Sequence, residues 1–413
     1  MKRIHRAWAV CAGCALLLFC TSGLTINAFT VYQPFIMEQN GFSNVQTSTL
    51  TTVRSLCSFA TMFLSGLYYR KLSLRRGMGL AGLTVAAGFA LYGLAKTYAG
   101  YCVAAGVIGF GYGLGTMIPI SIVLEHWFVT KRTLAIGLCS CVTGISTLGI
   151  PTLLTLLVER RGLRFAFLAE ACAVVCLILI SYLLLRSSPE EVGERPYGEG
   201  EQSVGETRAE RAAMPAWHWW VLIPMILLMG GVMCVGYSHI SVRIRANGFS
   251  SYTVANGVMI SGLALTAGKF GYGAVAEKIG CFRANRFFSA LLLGGVLLCG
   301  LNWRSERMVY LAMPIFGAGL GMPSVGLTAW AGDWCSREQY DGVIRRFQLS
   351  YAAGCMLFAS LPGYLADRAG GSYVPAYRLF FVLALIIMAC AQSMYLLRGE
   401  NKKARPLTGR KTR

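Results

Sequence analysis

The chain has 413 residues, a mean hydropathy of +0.55 and only 14% charged residues. A soluble protein needs roughly a quarter of its residues charged to cover its surface, so these proportions exclude an ordinary water-soluble globule and point to an outside that faces lipid. The net charge of +20 needs no nucleic acid to explain it, because a basic membrane face beside anionic lipid accounts for it.

In chain order the hydropathy divides into twelve apolar blocks, near 7–33, 46–69, 77–95, 99–124, 132–158, 164–186, 217–242, 251–276, 284–302, 308–331, 343–366 and 376–397. Each is long enough for a helix across a ~30 Å hydrocarbon core. The runs are continuous, unlike barrel strands, and inside lipid only helices or closed barrels satisfy their own backbone. Twelve transmembrane helices, here helix 1 to helix 12, are therefore predicted for an all-α membrane protein. Basic residues Lys2, Arg3 and Arg6 precede helix 1, but no small-x-small cleavage site follows, so it reads as a retained span. Residues 187–216, rich in Glu, Gly, Pro and Ser, interrupt the apolar pattern once.

With both ends on one face, 26 of the 38 Lys and Arg side chains fall on that face and ten on the other, leaving Arg54 and Lys269 inside the membrane. The positive-inside rule makes the basic face cytoplasmic. The tail after Arg398 is basic as well. Cys11-x-x-Cys14 and Cys139-x-Cys141 have a redox or metal spacing, yet lie in apolar helix without nearby His or acid, which favours packing. No metal and no cofactor is expected.

The tetrapeptide Asn40–Ser43 recurs as Asn247–Ser250, 207 residues on. The same shift carries Gly66 onto Gly273, Lys71 onto Lys278 and Trp127 onto Trp334, and a shift of 206 carries Gly111-x-Gly113-Leu114-Gly115 onto Gly317-x-Gly319-Leu320-Gly321. Helices 1–6 and 7–12 thus read as two copies of one unit, a parallel repeat found in secondary transporters. The expected organisation is two pseudo-symmetric six-helix bundles around a central cavity: residues 1–186, a cytoplasmic linker at 187–216, residues 217–398, and a basic tail at 399–413. The glycine runs sit inside spans with no preceding strand, so they read as helix packing and not as a dinucleotide loop. Pro119, Pro151, Pro314, Pro323 and Pro362 are expected to bend spans. Trp217, Trp219 and Trp220 form an interfacial belt where helix 7 begins.

After helix 8 the chain reads Gly273-Ala-Val-Ala-Glu277-Lys278-Ile-Gly280-Cys-Phe-Arg283. After helix 2 it reads Gly66-Leu-Tyr-Tyr-Arg70-Lys71-Leu-Ser73-Leu-Arg75-Arg76. These resemble the signature G-x-x-x-D-[RK]-x-G-x-[RK]-[RK] of the major facilitator superfamily, kept well in the second copy and departing at Arg70 and Ser73 in the first. Shorter stretches, Trp127 to Gly137, Arg164-Phe-Ala-Phe and Gly363 to Tyr373, are similar to the monocarboxylate and oxalate–formate porter branch. The resemblance implies a gate at this loop. The Glu277 carboxylate would sit at a helix N-terminus of the other half. Basic neighbours (Lys71, Arg75, Arg76, Lys278, Arg283) would pair with Glu125 and Asp333 at the cytoplasmic ends of helices 4 and 10. Arg70 reverses the usual sign, and Asp341 is the expected compensating acid; the alternative is that all are solvated loop charges. The branch places a carboxylate-binding Arg four residues before the signature Gly, and here that position is Lys269.

Ionisable groups within spans are costly and functional by default. Arg54 near the middle of helix 2 and Lys269 in helix 8 would make a site for an organic anion, Arg offering the two-pronged donor that matches a carboxylate. For Arg54 the competing reading is structural pairing, and for Lys269 it is snorkelling toward the inner surface. Glu170 in helix 6 either pairs with Arg161 or Arg164 or carries a proton. His239, which falls opposite Tyr32 in the repeat, either is structural or carries a proton at an outer cavity rim shared with Tyr32. Glu170, His239 and Lys269 are the proton-coupling candidates.

These features point to a secondary transporter of a small organic mono- or dicarboxylate, by proton symport or anion exchange, working as a monomer in a plasma (inner) membrane. No G-x-x-x-x-G-K-[ST] loop is present, which argues against direct ATP drive. The rival readings are an efflux transporter for drugs or metabolites, disfavoured by the two cations, and a ligand sensor that does not transport. A membrane enzyme lacks any cluster of catalytic side chains.

Overall fold

The structure, a computed structural model, describes residues 5–42, 44–146, 150–198, 217–336 and 338–403. Ser43 of the repeated tetrapeptide, Arg337, linker residues 199–216 and residues 1–4 and 404–413 lie outside that description.

Among the described residues twelve helices are long and apolar enough to cross a membrane: Arg6–Leu24, Thr49–Lys71, Leu74–Leu94, Tyr98–Trp127, Arg132–Arg161, Leu163–Leu184, Trp217–Ser238, Tyr252–Ile279, Cys281–Cys299, Glu306–Trp334, Tyr340–Arg368 and Val374–Leu396. They correspond one for one to the twelve apolar blocks, and the chain is an integral, multi-pass, all-helical membrane protein. Large apolar side chains such as Phe63, Leu67, Leu183 and Leu396 point outward, as a lipid-facing surface requires. One isolated β-bridge, Phe128 to Tyr197, joins the start of the linker to the loop between helices 4 and 5.

Helices 2, 3, 6, 8, 9 and 12 are continuous, and helices 1, 4, 7, 10 and 11 are interrupted among the described residues. The interruptions of helices 1 and 4 match those of helices 7 and 10 across the repeat. Helix 1 holds a π-helical turn at Phe19–Leu24 and helix 7 one at Gly230–Cys234. Helix 4 restarts at Met117 and helix 10 at Gly321, and helix 5 is described on both sides of residues 147–149 while helix 11 restarts at Leu361. Pro119, Pro323 and Pro362 each fall in the first turn of the restarted segment. There a missing N–H costs nothing, because the first four N–H groups of a helix lack intrahelical partners. Pro314 instead lies within a continuous helical segment.

The glycines of helices 4 and 10 correct the register of the repeat. Gly109 packs on Arg54, Gly111 on Val85 and Gly113 on Thr61; Gly317 packs on Ser261, Gly319 on Leu292 and Gly321 on Gly268. The partners are 207 apart and the glycines 208 apart, so the spatial equivalents of Gly109, Gly111 and Gly113 are Gly317, Gly319 and Gly321. Gly-x-Gly repeats itself every second residue, and a sequence comparison slides along it by one glycine without penalty.

The two halves meet on the face where the described chain starts and helix 12 ends, hereafter the terminal face. Helix 5 lies against helices 8 and 10 through Arg132–Ile145, and helix 11 lies against helices 2 and 4 through Tyr340–Leu357. All four contacts use the terminal-face parts of helices 5 and 11. Helices 5 and 8 approach backbone to backbone: a Cβ at Gly137 would meet the Lys269 carbonyl at 2.8 Å, and one at Gly273 the Thr133 carbonyl at 2.7 Å. The structure is therefore closed between its halves at the terminal face.

Candidate functional site

Arg54 points from helix 2 toward helix 1. Its Nη1 donates to the Thr25 carbonyl at 2.6 Å and its guanidinium lies 5.6 Å from the Phe29 ring centroid. Thr25 is the first residue after the π-turn of helix 1; such turns shift the helical ladder and recur at functional sites. No acidic side chain lies within ion-pair distance of Arg54 among the described residues. Its ionisable neighbours are Tyr92 and Tyr112. Tyr112 in turn stands beside Ser22 of the first π-turn, and across the interface beside Cys234 of the second π-turn and Cys355 of helix 11. Tyr351 of helix 11 flanks the same two cysteines. Tyr112 thus links the surroundings of Arg54 in the first half to Cys234, Tyr351 and Cys355 in the second.

Lys269 occupies a different level. Its Nζ donates to Thr143 Oγ1 of helix 5 at 2.7 Å, and the side chain is 8% exposed, so it spans the seam between halves and does not snorkel. Its repeat equivalent is position 62, eight residues beyond Arg54, which puts the two cations about 12 Å apart along the helix direction at 1.5 Å per residue. The structure does not bring Arg54 and Lys269 into contact.

Tyr32 and Glu170 are brought together inside the first half. The Tyr32 hydroxyl donates to Glu170 Oε2 at 2.7 Å, and both side chains are buried. Glu170 Oε1 has no hydrogen-bond partner among the described residues, and neither Arg161 nor Arg164 forms an ion pair with it. Tyr32 lies on Phe167 at 4.1 Å and Phe167 stacks on Tyr92 at 5.2 Å, which links the carboxyl to the surroundings of Arg54. His239, half-buried, directs Nδ1 to the Val235 carbonyl at 3.0 Å and lies 6.2 Å from the Tyr373 ring, so it is held at the far end of helix 7.

At the terminal face Glu277 Oε1 accepts the backbone N–H of Lys131, the N-cap residue just before helix 5, at 2.5 Å. Lys131 holds φ 58°, the one left-handed non-glycine among the described residues. Arg132 Nη1 pairs with Glu125 Oε2 at 2.5 Å, and the same guanidinium covers Gly332 of helix 10 and lies 5.8 Å from the Tyr340 ring. Arg345 of helix 11 covers Gly66 of helix 2. Asp341 faces His126 and Arg345 and makes no ion pair with Arg70 among the described residues. Asp333 Oδ2 accepts from Tyr395 at 3.1 Å.

The remaining signature cations divide. Arg75 bonds the Tyr182 carbonyl at 3.1 Å and stacks on that ring at 4.2 Å, tying helix 3 to helix 6 within one half. Arg70, Lys71, Arg76, Lys278 and Arg283 are exposed. Ser73 stands where the signature has glycine, and its side chain caps helix 3 by accepting the Arg76 N–H. Gly280 performs the matching turn at φ 84°. Cys139 lies against Cys11 and Cys14, with Cys11 Sγ directed to the Ala135 carbonyl at 3.5 Å.

Sequence reading missed Arg132, Arg345 and Tyr340 as seam residues, and Tyr112, Tyr351, Cys234 and Cys355 at the π-turns. For Tyr112, Cys234 and Cys355 the available signal was a polar or small side chain close to a helix break. Sequence reading also missed Arg243, which lies just beyond the apolar block of helix 7. This side chain is fully buried, bonds the Cys299 and Leu301 carbonyls and Asn247 Oδ1, and lies 4.3 Å from the Trp303 ring.

The architecture is that of a membrane transporter built from two six-helix repeats. The Major Facilitator Superfamily profile matches residues 14–326, and the chain belongs to that family. It is 24% identical to the MFS-type transporter hasB of Aspergillus fumigatus over 388 residues, 89% of this chain and 84% of that one. It is 24% identical to monocarboxylate transporter 12 of Mus musculus over 326 residues, 71% of this chain and 65% of that one. Among solved structures, the superfamily transporter FucP in the outward conformation superposes with a TM-score of 0.71 at 14% identity, covering 94% of this chain and 98% of that one. The chain is a transporter and not an enzyme.

Proposed function

We propose that the protein moves a small organic anion, a mono- or dicarboxylate, by alternating access, with both termini cytoplasmic. One observation carries the reading: Arg54, deep in a span, spends one donor on the Thr25 carbonyl and faces no acid among the described residues. A half-buried guanidinium left in that state, inside a span, is a receptor for a carboxylate. Tyr112, Tyr351 and the Cys234–Cys355 pair would line the opposite side. The likeness to a monocarboxylate transporter supports the same substrate class.

Glu277 on the Lys131 N–H and Arg132 between Glu125 and Gly332 would form the gate that keeps the terminal face shut. Lys269 would report its state, since its bond to Thr143 exists only while helices 5 and 8 touch. Glu170 with Tyr32 is the leading proton carrier, because one carboxyl oxygen is left without a partner among the described residues in a buried site. His239 and Lys269 are alternatives.

The test is uptake into proteoliposomes of formate, lactate, pyruvate, oxalate, an aliphatic amino acid, a sugar and a lipophilic cation, each with and without a pH gradient. Saturable carboxylate uptake that Arg54→Gln abolishes and Arg54→Lys partly retains supports the reading. Uptake of the cation or sugar that Arg54→Gln leaves intact overturns it.

A further inference from the structure

Residues 186–198 begin the connection between the halves, yet they are bound to the first half at many points. The Trp127 indole donates to the Arg186 carbonyl at 3.0 Å, and Arg6 pairs with Glu194 at 3.6 Å. The strongest attachment is Tyr197. Its N–H donates to the Trp127 carbonyl at 2.8 Å, and its own carbonyl accepts from Val129 at 3.0 Å and Thr130 at 3.3 Å. Its ring lies against His5 at 5.3 Å, Trp8 at 5.7 Å and Phe128 at 5.7 Å. Its hydroxyl accepts from Lys131 Nζ at 3.2 Å.

Every one of these backbone bonds falls on Trp127–Thr130, the turn whose next residue presents its N–H to Glu277. Lys131 must take a left-handed conformation to do so, which is unfavourable for a residue with a Cβ and persists only where neighbours enforce it. Tyr197 grips both sides of that strain: the backbone just before Lys131 and its ammonium just after. We infer that residues 186–198 act as a strap that holds this turn in its gate-closing form, with Tyr197 as the positioning residue. Separation of the halves at the terminal face is then governed by a segment outside the membrane, on the same chain path that leads to helix 7. The inference rests on the gate reading of Glu277 and Lys131 given above.

The experiment is a double electron–electron resonance distance measurement on the full chain in nanodiscs. Spin labels are carried on unnatural amino acids at Arg76 and Arg286, exposed positions in the two halves near the terminal face. Tyr197→Ala is expected to raise the ratio of long to short distances about tenfold, and Tyr197→Phe, which keeps the ring and loses only the Lys131 bond, about threefold. Glu277→Gln serves as the reference for a weakened gate. If Glu277→Gln lengthens the distances while Tyr197→Ala and Tyr197→Phe do not, the strap is overturned and the gate stands. If Glu277→Gln changes nothing either, the gate reading fails first. A Tyr197→Ala protein that does not remain monodisperse leaves Tyr197→Phe to decide.

Discussion

The backbone N–H of Lys131 in the first half donates to the carboxylate of Glu277 in the second at 2.5 Å, joining the two copies of the repeat at the start of helix 5. An anion at a helix N-terminus gains from the orphan N–H groups and from the helix dipole together. Glu277→Gln keeps an acceptor but removes the charge, costing about 1 kcal/mol of the closed form. Trypsin cleavage after Lys131 or Arg132 in solubilised protein is expected to quicken about fivefold. An unchanged cleavage rate would mean the contact does not hold the face shut.

Gly273 meets the Thr133 carbonyl and Gly137 where helices 5 and 8 touch. A methyl group there has no room while the halves are closed at this face, and overpacking of this kind costs about 1–3 kcal/mol. Packing within each half does not use the site. Gly273→Ala should therefore fold with an ordinary melting temperature and accumulate with the terminal face open. Accessibility of Thr143, replaced by cysteine in a background lacking native cysteines, to a thiol reagent applied from that face is the check; continued protection would contradict the prediction.

Glu170 is buried, with Tyr32 as partner of one oxygen and, among the described residues, none for the other. Glu170→Gln fixes the carboxyl in its neutral form. Uptake driven by a pH gradient should fall to the level seen without one, while exchange of labelled for unlabelled substrate across equal pH continues. Loss of both activities with the protein still folded would assign Glu170 to substrate binding or to the frame instead.

Arg243 ties the end of helix 7 to the end of helix 9 through the Cys299 and Leu301 carbonyls. Arg243→Met fills much of the volume but leaves those acceptors unpaired, at about 1–3 kcal/mol for each buried group. Thermal unfolding in detergent should drop by several degrees with no change in substrate preference. A melting temperature equal to wild type would mean water replaces the guanidinium.

Much of this architecture is legible in the order of the amino acids. The twelve spans, the two-copy organisation and the family follow from run length, loop charge and a repeated loop, because lipid forces apolar backbone into helices and leaves signature loops at fixed places between them. The departures Arg70 and Ser73 are visible too, though not that Ser73 solves by side-chain capping the turn Gly280 solves by a positive φ. The depth of Arg54 and Lys269 can be counted along their helices, but their direction cannot.

The sequence by itself determined what lies in the membrane and that the chain is built twice, since hydrophobic length and repetition are properties of the chain taken one residue after another. Only the tertiary structure decided the register of the Gly-x-Gly runs, the partners of Glu170 and Lys269, the burial of Arg243 and the seam made by Arg132 and Arg345. Each depends on which side chains from distant spans meet across a helix interface, and a helix read alone does not say which of its faces turns toward a neighbour, toward the other half or toward lipid.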